Sequence, residues 1–305
     1  MNKEHYWFWL CNIPNIGRKT IAALLLEYQT PQCIYKENPQ RLKDKLGKGA
    51  YANFIKSKDE QIIITNYEML AKKRIRFISS EADEYPESLC NILDYPYGIY
   101  VKGRPLPKNC LAIAIVGARQ ASAYGKEIAR YFASCLAKEG IVVISGLAYG
   151  IDAQAHLGAL DTDGYTVAVL GTGINIHYPK ENYKIFHAIE QNGTLLSEYG
   201  PDTPGIPGMF CARNRLISGL ARGVLVIEAG RKSGAFITVD SGLEQGKDIF
   251  SVPGRIGDTL SEGCNNLIKM GYALFLGPKN NRRLLVTGFS VICVVNLALL
   301  LIMWA

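Results

Sequence analysis

Between residues 107 and 278, short apolar runs alternate with stretches of helical spacing. The runs at 111–116, 141–144, 165–170, 194–197, 224–228 and 248–252 predict strands. Residues 125–137, with apolar Ile128, Tyr131, Phe132, Cys135 and Leu136, predict a helix, as do 152–160, 181–191, 213–221 and 234–246. The strands are continuous in apolar character rather than alternating, so both of their faces are covered. Strands and helices in turn make an α/β fold with a doubly wound parallel sheet. Sites in such sheets lie beyond the carboxyl ends of the strands, so chemistry is expected on the loops at 117–125, 145–152, 171–182, 198–215, 229–236 and 253–263.

The rest of the chain divides into three. Residues 1–65 read as a small helical domain. Its segment Ile13-Pro-Asn-Ile-Gly17-Arg-Lys-Thr20 leads into an apolar helix. A glycine turn followed by basic residues resembles a helix-hairpin-helix, in which backbone N–H groups meet a phosphate; a plain helical bundle is the alternative. Residues 66–106 read as a connector punctuated by Pro86, Pro96, Pro105 and Pro107, with edge strands at 75–78 and 99–101. Residues 279–305 form an apolar tail. Its 284–305 portion carries no charge and follows Lys279, Arg282 and Arg283, which fits a membrane-spanning segment with a cytoplasmic basic flank.

Composition narrows the function. With 48% hydrophobic and 20% charged residues in 305, the chain can fill a core. A net charge of +7 without a long basic block permits a polyanionic partner without requiring one. The 8 cysteines form no CxxC pair and the 4 histidines no HxxxH or HExxH, which disfavours a structural zinc site, a disulfide framework and a metalloenzyme. The cysteines are expected to be small buried residues in a reducing cytosol. The charged start at Lys3 and Glu4 and the short apolar run after it do not read as a secretory signal.

The strand-end loops carry cations and small residues. Gly117 and Arg119 lie in the first, where Gly117 would allow close backbone approach and Arg119 would join bare helix N–H groups in holding an anion. Ser145 and Gly146 lie in the second, followed by Asp152 as helix N-cap and His156 as a structural histidine. The third begins Gly171-Thr-Gly173, but Ile176 breaks GxGxxG, which disfavours NAD. It adds Tyr178 as a stacking face and Lys180 as a phosphate contact. In the fourth, Arg213, Asn214 and Arg215 open a helix with a basic first turn that suits an anion. The fifth adds Arg231 and Lys232. No nucleophile–base set, P-loop or GxSxG elbow is present, so the chain is expected not to be an enzyme and to need no cofactor.

Taken in order, VGARQAS (116–122), SGLAYGIDAQAH (145–156), LGTGINIHYPKEN (170–182), LLSEYGP (195–201), FCARNRLISGL (210–220), EAGRKSGAFIT (228–238), VPG (252–254) and GCNNLI (263–268) resemble the DNA-processing protein A (DprA/Smf) family over about 80–275. The resemblance implies a Rossmann-like domain behind a SAM-like helical domain. It implies a cytoplasmic homodimer that binds single-stranded DNA, protects incoming DNA and loads the RecA recombinase during natural transformation. Carried over by motif, the strand-gripping positions are Gly117, Arg119, Ser145, Gly146, Lys180, Arg213, Asn214 and Arg215. Dimer and recombinase contacts are implied near 259–275, and the apolar tail adds a possible membrane contact. Ala118, Asn175 and Cys211 depart from the family's usual hydroxyl, Asp and Pro. A rival on the same type of fold is a lysine-decarboxylase-like phosphoribohydrolase. Its PGG-x-GT-x-x-E run is replaced here by EAGRKSGAFIT.

Overall fold

The computed structural model describes residues 1–274. Six helices open the chain: α1 (Lys3–Cys11), α2 (Arg18–Tyr28), α3 (Pro31–Lys36), α4 (Pro39–Leu42), α5 (Lys48–Lys56) and α6 (Glu60–Lys72). Strand β1 (Ile75–Ser79), helix α7 (Glu87–Cys90) and strand β2 (Gly98–Gly103) follow. Then strands and helices alternate as the apolar runs predict: β3 (Ala112–Val116), α8 (Ala123–Lys138), β4 (Val142–Ser145), α9 (Ile151–Leu160), β5 (Thr166–Leu170), α10 (Tyr183–Asn192), β6 (Thr194–Ser197), α11 (Pro207–Leu220), β7 (Gly223–Val226), α12 (Ala235–Glu244), β8 (Asp248–Ser251), α13 (Glu262–Lys269) and β9 (Ala273–Leu274). The apolar tail at 279–305 lies outside the described residues. Among those described, no helix is long and apolar enough to cross a membrane.

One nine-stranded sheet results, in the order β1-β2-β6-β5-β4-β3-β7-β8-β9. From β6 to β9 neighbouring strands are parallel, whereas β2 pairs antiparallel with both β6 and β1. The sheet is therefore mixed rather than wholly parallel. The chain winds one way from β3 to β6 and the other from β7 to β9, which puts the switch point between β3 and β7. This is the Rossmann-like arrangement, with its crevice at the carboxyl ends of those strands. The segment 66–106 is part of the sheet: β2 is an interior strand, and only β1 is an edge. α6 runs through residue 65, where the sequence pattern ends the helical domain.

Alternation along the strands explains the layers. Ala112, Ala114 and Val116 face a core shared with Leu216 and Ile217 of α11 and Val239 of α12. Ile113 and Ile115 face α8 and α9. On that second face, beyond α9, Phe77, Tyr100, Ala168 and Leu195 join one cluster with Trp7, Trp9, Leu24, Phe54 and Leu70. The N-terminal helices thus bury their apolar side on the sheet instead of closing a core of their own. Two arginines fasten the junction. Arg18, the first residue of α2, donates to the Asp94 carboxylate at 2.7 Å and lies 3.4 Å from Glu198. Arg215 donates to Glu198 at 2.9 Å and to Asp94 at 2.8 Å. The turn read as a helix-hairpin-helix therefore spends its first cation inside the molecule.

Of the described cysteines only Cys264 is buried, while Cys33, Cys90, Cys110 and Cys211 are exposed. This corrects the expectation of buried thiols: these positions fall on helix outer faces and loops, where spacing between cysteines carries no information.

Candidate nucleic-acid interface

A crevice opens at the carboxyl ends of β3, β4 and β5. Its lining includes Arg119, Gly146, Tyr149, Gly171, Tyr178, Phe210 and Arg213. The loop after β4 is held from two sides. Asp152, buried, accepts N–H bonds from Gly146 at 3.2 Å and Ala148 at 3.4 Å. Arg213, only 4% exposed, donates to the Gly146 carbonyl at 2.7 Å and also to the Val169 carbonyl. Burial pushes the Asp152 carboxyl above the usual carboxylate range, against the opposing pull of Arg213. Burial also brings the Arg213 guanidinium down to about 10, with Asp152 resisting and the nearby Arg119 adding to the fall.

This corrects three expectations. Asp152 does not cap its helix: Gly150 occupies the cap of α9, and Asp152 binds the loop before it. Arg213 and Arg215 do not open a helix. Pro207 starts α11 six residues before Arg213, so the ARNR motif sits mid-helix and both arginines face inward. Asn214 supports the first of them, accepting from Arg213 Nε at 3.1 Å. Ser145 is fully buried, and its hydroxyl donates to the Ile115 carbonyl at 2.7 Å.

The glycines answer the same interior demand. A Cβ on Gly146 would lie 2.5 Å from the Arg213 guanidinium, and one on Gly117 would lie 2.6 Å from Ile151 and 2.8 Å from the Glu228 carbonyl. Both are glycine so that the chain's own groups can approach. The N-terminus of α8 is likewise already occupied. Ser122 caps it, accepting from Gly125 N–H at 2.9 Å. Glu228, at the end of β7, accepts from Ser122 N–H at 2.8 Å and its hydroxyl at 2.7 Å. A carboxylate thus sits where a ligand anion was expected.

What remains outward is compact. Arg119 is exposed and forms no ion pair or hydrogen bond among the described residues. Lys180, also exposed, begins the 3-10 turn (Lys180–Asn182) just after Pro179, which lines the crevice. Its neighbour Glu181 is engaged by the Tyr149 hydroxyl, which leaves Lys180 without an ion pair. Tyr149 and Tyr178 are exposed, and the Tyr178 and Phe210 rings lie 5.0 Å apart. Arg231 stands apart, 3.6 Å from Glu262. Of the residues singled out from sequence, the structure brings Arg119, Gly146, Tyr178 and Arg213 to one crevice, with Lys180 at its margin. It turns Ser145, Gly117 and Arg215 to internal contacts. Tyr149 and Phe210 were not singled out, because an aromatic in a loop carries no pattern of its own.

A family model described as DNA recombination-mediator protein A matches residues 76–284. The chain belongs to that family. It is 41% identical over 203 residues to Protein Smf of Escherichia coli, covering 66% of this chain and 54% of that protein. The chain thus spans about half the length of that relative. The crystal structure of DNA processing protein A from Streptococcus pneumoniae superposes with a TM-score of 0.80 at 31% identity, covering 95% of this chain and all of that one. DNA processing protein A from Helicobacter pylori, solved to explain its single-stranded DNA binding mode, matches at 30% identity and TM-score 0.63 over 71% of this chain and 98% of that one.

His156 gives the interior a pH signature. It is fully buried, with Nδ1 2.7 Å from Thr166 Oγ1. The Thr166 hydroxyl donates to Val143, so the histidine ring donates to it and Nε2 carries no proton. Burial, aided by the Arg213 charge, lowers its pKa from 6.5 to about 3. The native state therefore excludes a proton that the unfolded chain binds. This contribution to stability is complete above pH 6.5 and is lost as pH falls toward 3, by about 1.4 kcal/mol per unit inside that window. Urea unfolding across pH 7 to 4 is the check. His156→Asn should be less stable than the parent at pH 7, and the gap should narrow as pH falls. A gap that stays constant would mean the buried ring does not govern the acid limb.

Proposed function

We propose that this chain binds single-stranded DNA in the crevice beyond β3–β5, as a cytoplasmic homodimer, and loads the RecA recombinase onto the strand during natural transformation. One observation carries the binding step: two exposed cations without an ion pair among the described residues, Arg119 and Lys180, accompany exposed Tyr149 and Tyr178 beside Phe210. Cations that track phosphates, together with ring faces that accept unstacked bases, are the combination single strands require. A base stacked in a duplex offers no face to Tyr149 or Tyr178, which favours single strands over duplex. The family's description as a recombination mediator supports the later step.

The reading is one of binding without a chemical step. Asp152 and Glu228, the buried acids at the strand ends, are both tied to backbone or hydroxyl donors and support loop geometry. Fluorescence anisotropy with a labelled oligothymidine and with a duplex of equal length, across a salt series, tests the proposal. Preference for the single strand and a linear fall of log affinity with log salt are expected. Equal affinity for both forms would overturn it, and steady turnover of a nucleoside monophosphate would overturn the non-catalytic reading.

A further inference from the structure

Building on the single-strand reading above, we propose that the floor of the same crevice discriminates among bases. Arg213 there accepts the keto oxygen of a thymine or guanine as its partner and disfavours a base that presents an amine. Arg213 is 4% exposed and lines the crevice. The fold uses only part of its guanidinium. Nη1 donates to the Gly146 carbonyl at 2.7 Å and to the Val169 carbonyl, and Nε donates to Asn214 Oδ1 at 3.1 Å. Nη2 donates to no group among the described residues, yet it is not sealed from solvent as Nη2 of Arg76 is. A side chain held rigidly by the interior therefore keeps one charged N–H arm open to the crevice. Buried donors are ordinarily satisfied, so the open arm calls for an acceptor.

Size and polarity decide which acceptor suits it. The space at the crevice floor is about 10 Å³, room for one water-sized group. A carbonyl oxygen projecting from the edge of a ring fits such a space, whereas a tetrahedral phosphate does not. The walls suit the ring that would carry that oxygen. Tyr149 and Tyr178 are exposed, and Phe210 lies 5.0 Å from Tyr178. Phe210 is itself seated on glycine backbone: a Cβ would come within 2.5 Å of its ring from Gly171 and 2.8 Å from Gly205. Among the described residues no acidic side chain lines the crevice. The Gly146 and Val169 carbonyls beside the guanidinium are already taken by Nη1. The amine of cytosine or adenine would thus set a donor against a donor, and neither would find an acceptor. A keto oxygen instead receives a charge-assisted bond, the chemistry by which arginine recognises guanine. The cations then divide the work. Exposed Arg119 and Lys180 follow phosphates and read no base, while buried Arg213 reads the base edge.

The test compares labelled oligodeoxyuridine with oligodeoxycytidine of equal length on the full chain. The two carry the same phosphates and similar rings, and they differ only at the keto or amino position and the adjoining ring nitrogen. The uridine oligomer should bind about tenfold more tightly, near the lower end of what one base contact discriminates, and both should show the same salt slope. Arg213→Lys replaces the fork by a single ammonium held at the two carbonyls. It should bring the two affinities together, with thermal unfolding confirming that the variant is folded. The comparison on the parent protein decides the matter even if that variant does not fold. Equal affinities in the parent would overturn the proposal and leave the single-strand reading standing, whereas failure of both oligomers to bind would overturn the two together. A folded Arg213→Lys that weakens both oligomers alike, with the uridine preference intact, would show that Nη2 meets a phosphate and would also overturn it.

Discussion

Arg213→Ala should destabilise the fold by about 1–3 kcal/mol for each buried carbonyl left without its donor, and it removes the charge that opposes the effect of burial on Asp152. Asp152 is the group left behind. It is buried and already holds its proton more tightly than an ordinary carboxyl, and Arg213 is the main influence opposing that. Without the guanidinium, Asp152 must protonate or stay charged in the interior, and the Gly146 and Val169 carbonyls lose their donor. The sign of the pH effect follows. Removing Arg213 raises a folded-state pKa that already exceeds the unfolded one. That penalty is absent below the unfolded value of 3.8 and grows as pH rises through the folded one. The deficit of the variant should therefore shrink from neutral toward mildly acid pH. Asp152→Asn should recover part of it, because the amide oxygen can still accept from the loop without carrying charge. A double-mutant cycle by urea unfolding measures this, and strict additivity of the two changes would show that the residues do not interact.

The same helix explains why the strands were legible in the sequence and the roles of the motif residues were not. Short apolar runs bounded by glycine and polar loops name strands wherever both faces are covered, and β3 to β8 fall within a residue or two of them. The antiparallel membership of β2 is not written in that pattern, since pairing partners depend on residues far along the chain. α11 begins at Pro207 rather than at the arginines because proline at a first helical turn gives up no hydrogen bond. That shift of six residues turns Arg213 from a first-turn cation into a buried prop. Arginine in a motif has the same letter whether it meets a phosphate or a carbonyl. The difference lies in Gly146, whose missing side chain makes the space, and in Asp152, whose charge compensates it. Likewise Arg215 looks identical to a DNA contact until Glu198 and Asp94 are found against it. Arg119 and Lys180 differ only in having no such partner.

Arg119→Ala and Lys180→Ala should weaken single-stranded DNA binding without unfolding the protein. Both side chains are exposed, and neither supports a carboxylate or a carbonyl among the described residues. Changes at such positions usually alter stability by no more than about 0.5 kcal/mol. Neither forms an ion pair among the described residues, which leaves their charge available. Glu181, the nearest acid in the chain to Lys180, is drawn to the Tyr149 hydroxyl, while Arg119 lies close enough to Arg213 for their like charges to repel. A phosphate would relieve that repulsion, so Arg119 should contribute more than an isolated surface cation. Each phosphate neutralised on a single strand releases a counterion and adds about 0.7 to the slope of log affinity against log salt. Each single change should lower the slope by about that amount and weaken all sequences alike, since a phosphate contact reads no base. The double change should lower it by about twice as much and leave little binding at physiological salt. Anisotropy titrations over a salt series, paired with thermal unfolding of the same samples, give both quantities. Unchanged slopes in folded single variants would place the strand elsewhere on the sheet edge, with Arg231 and Lys232 the next cations to replace.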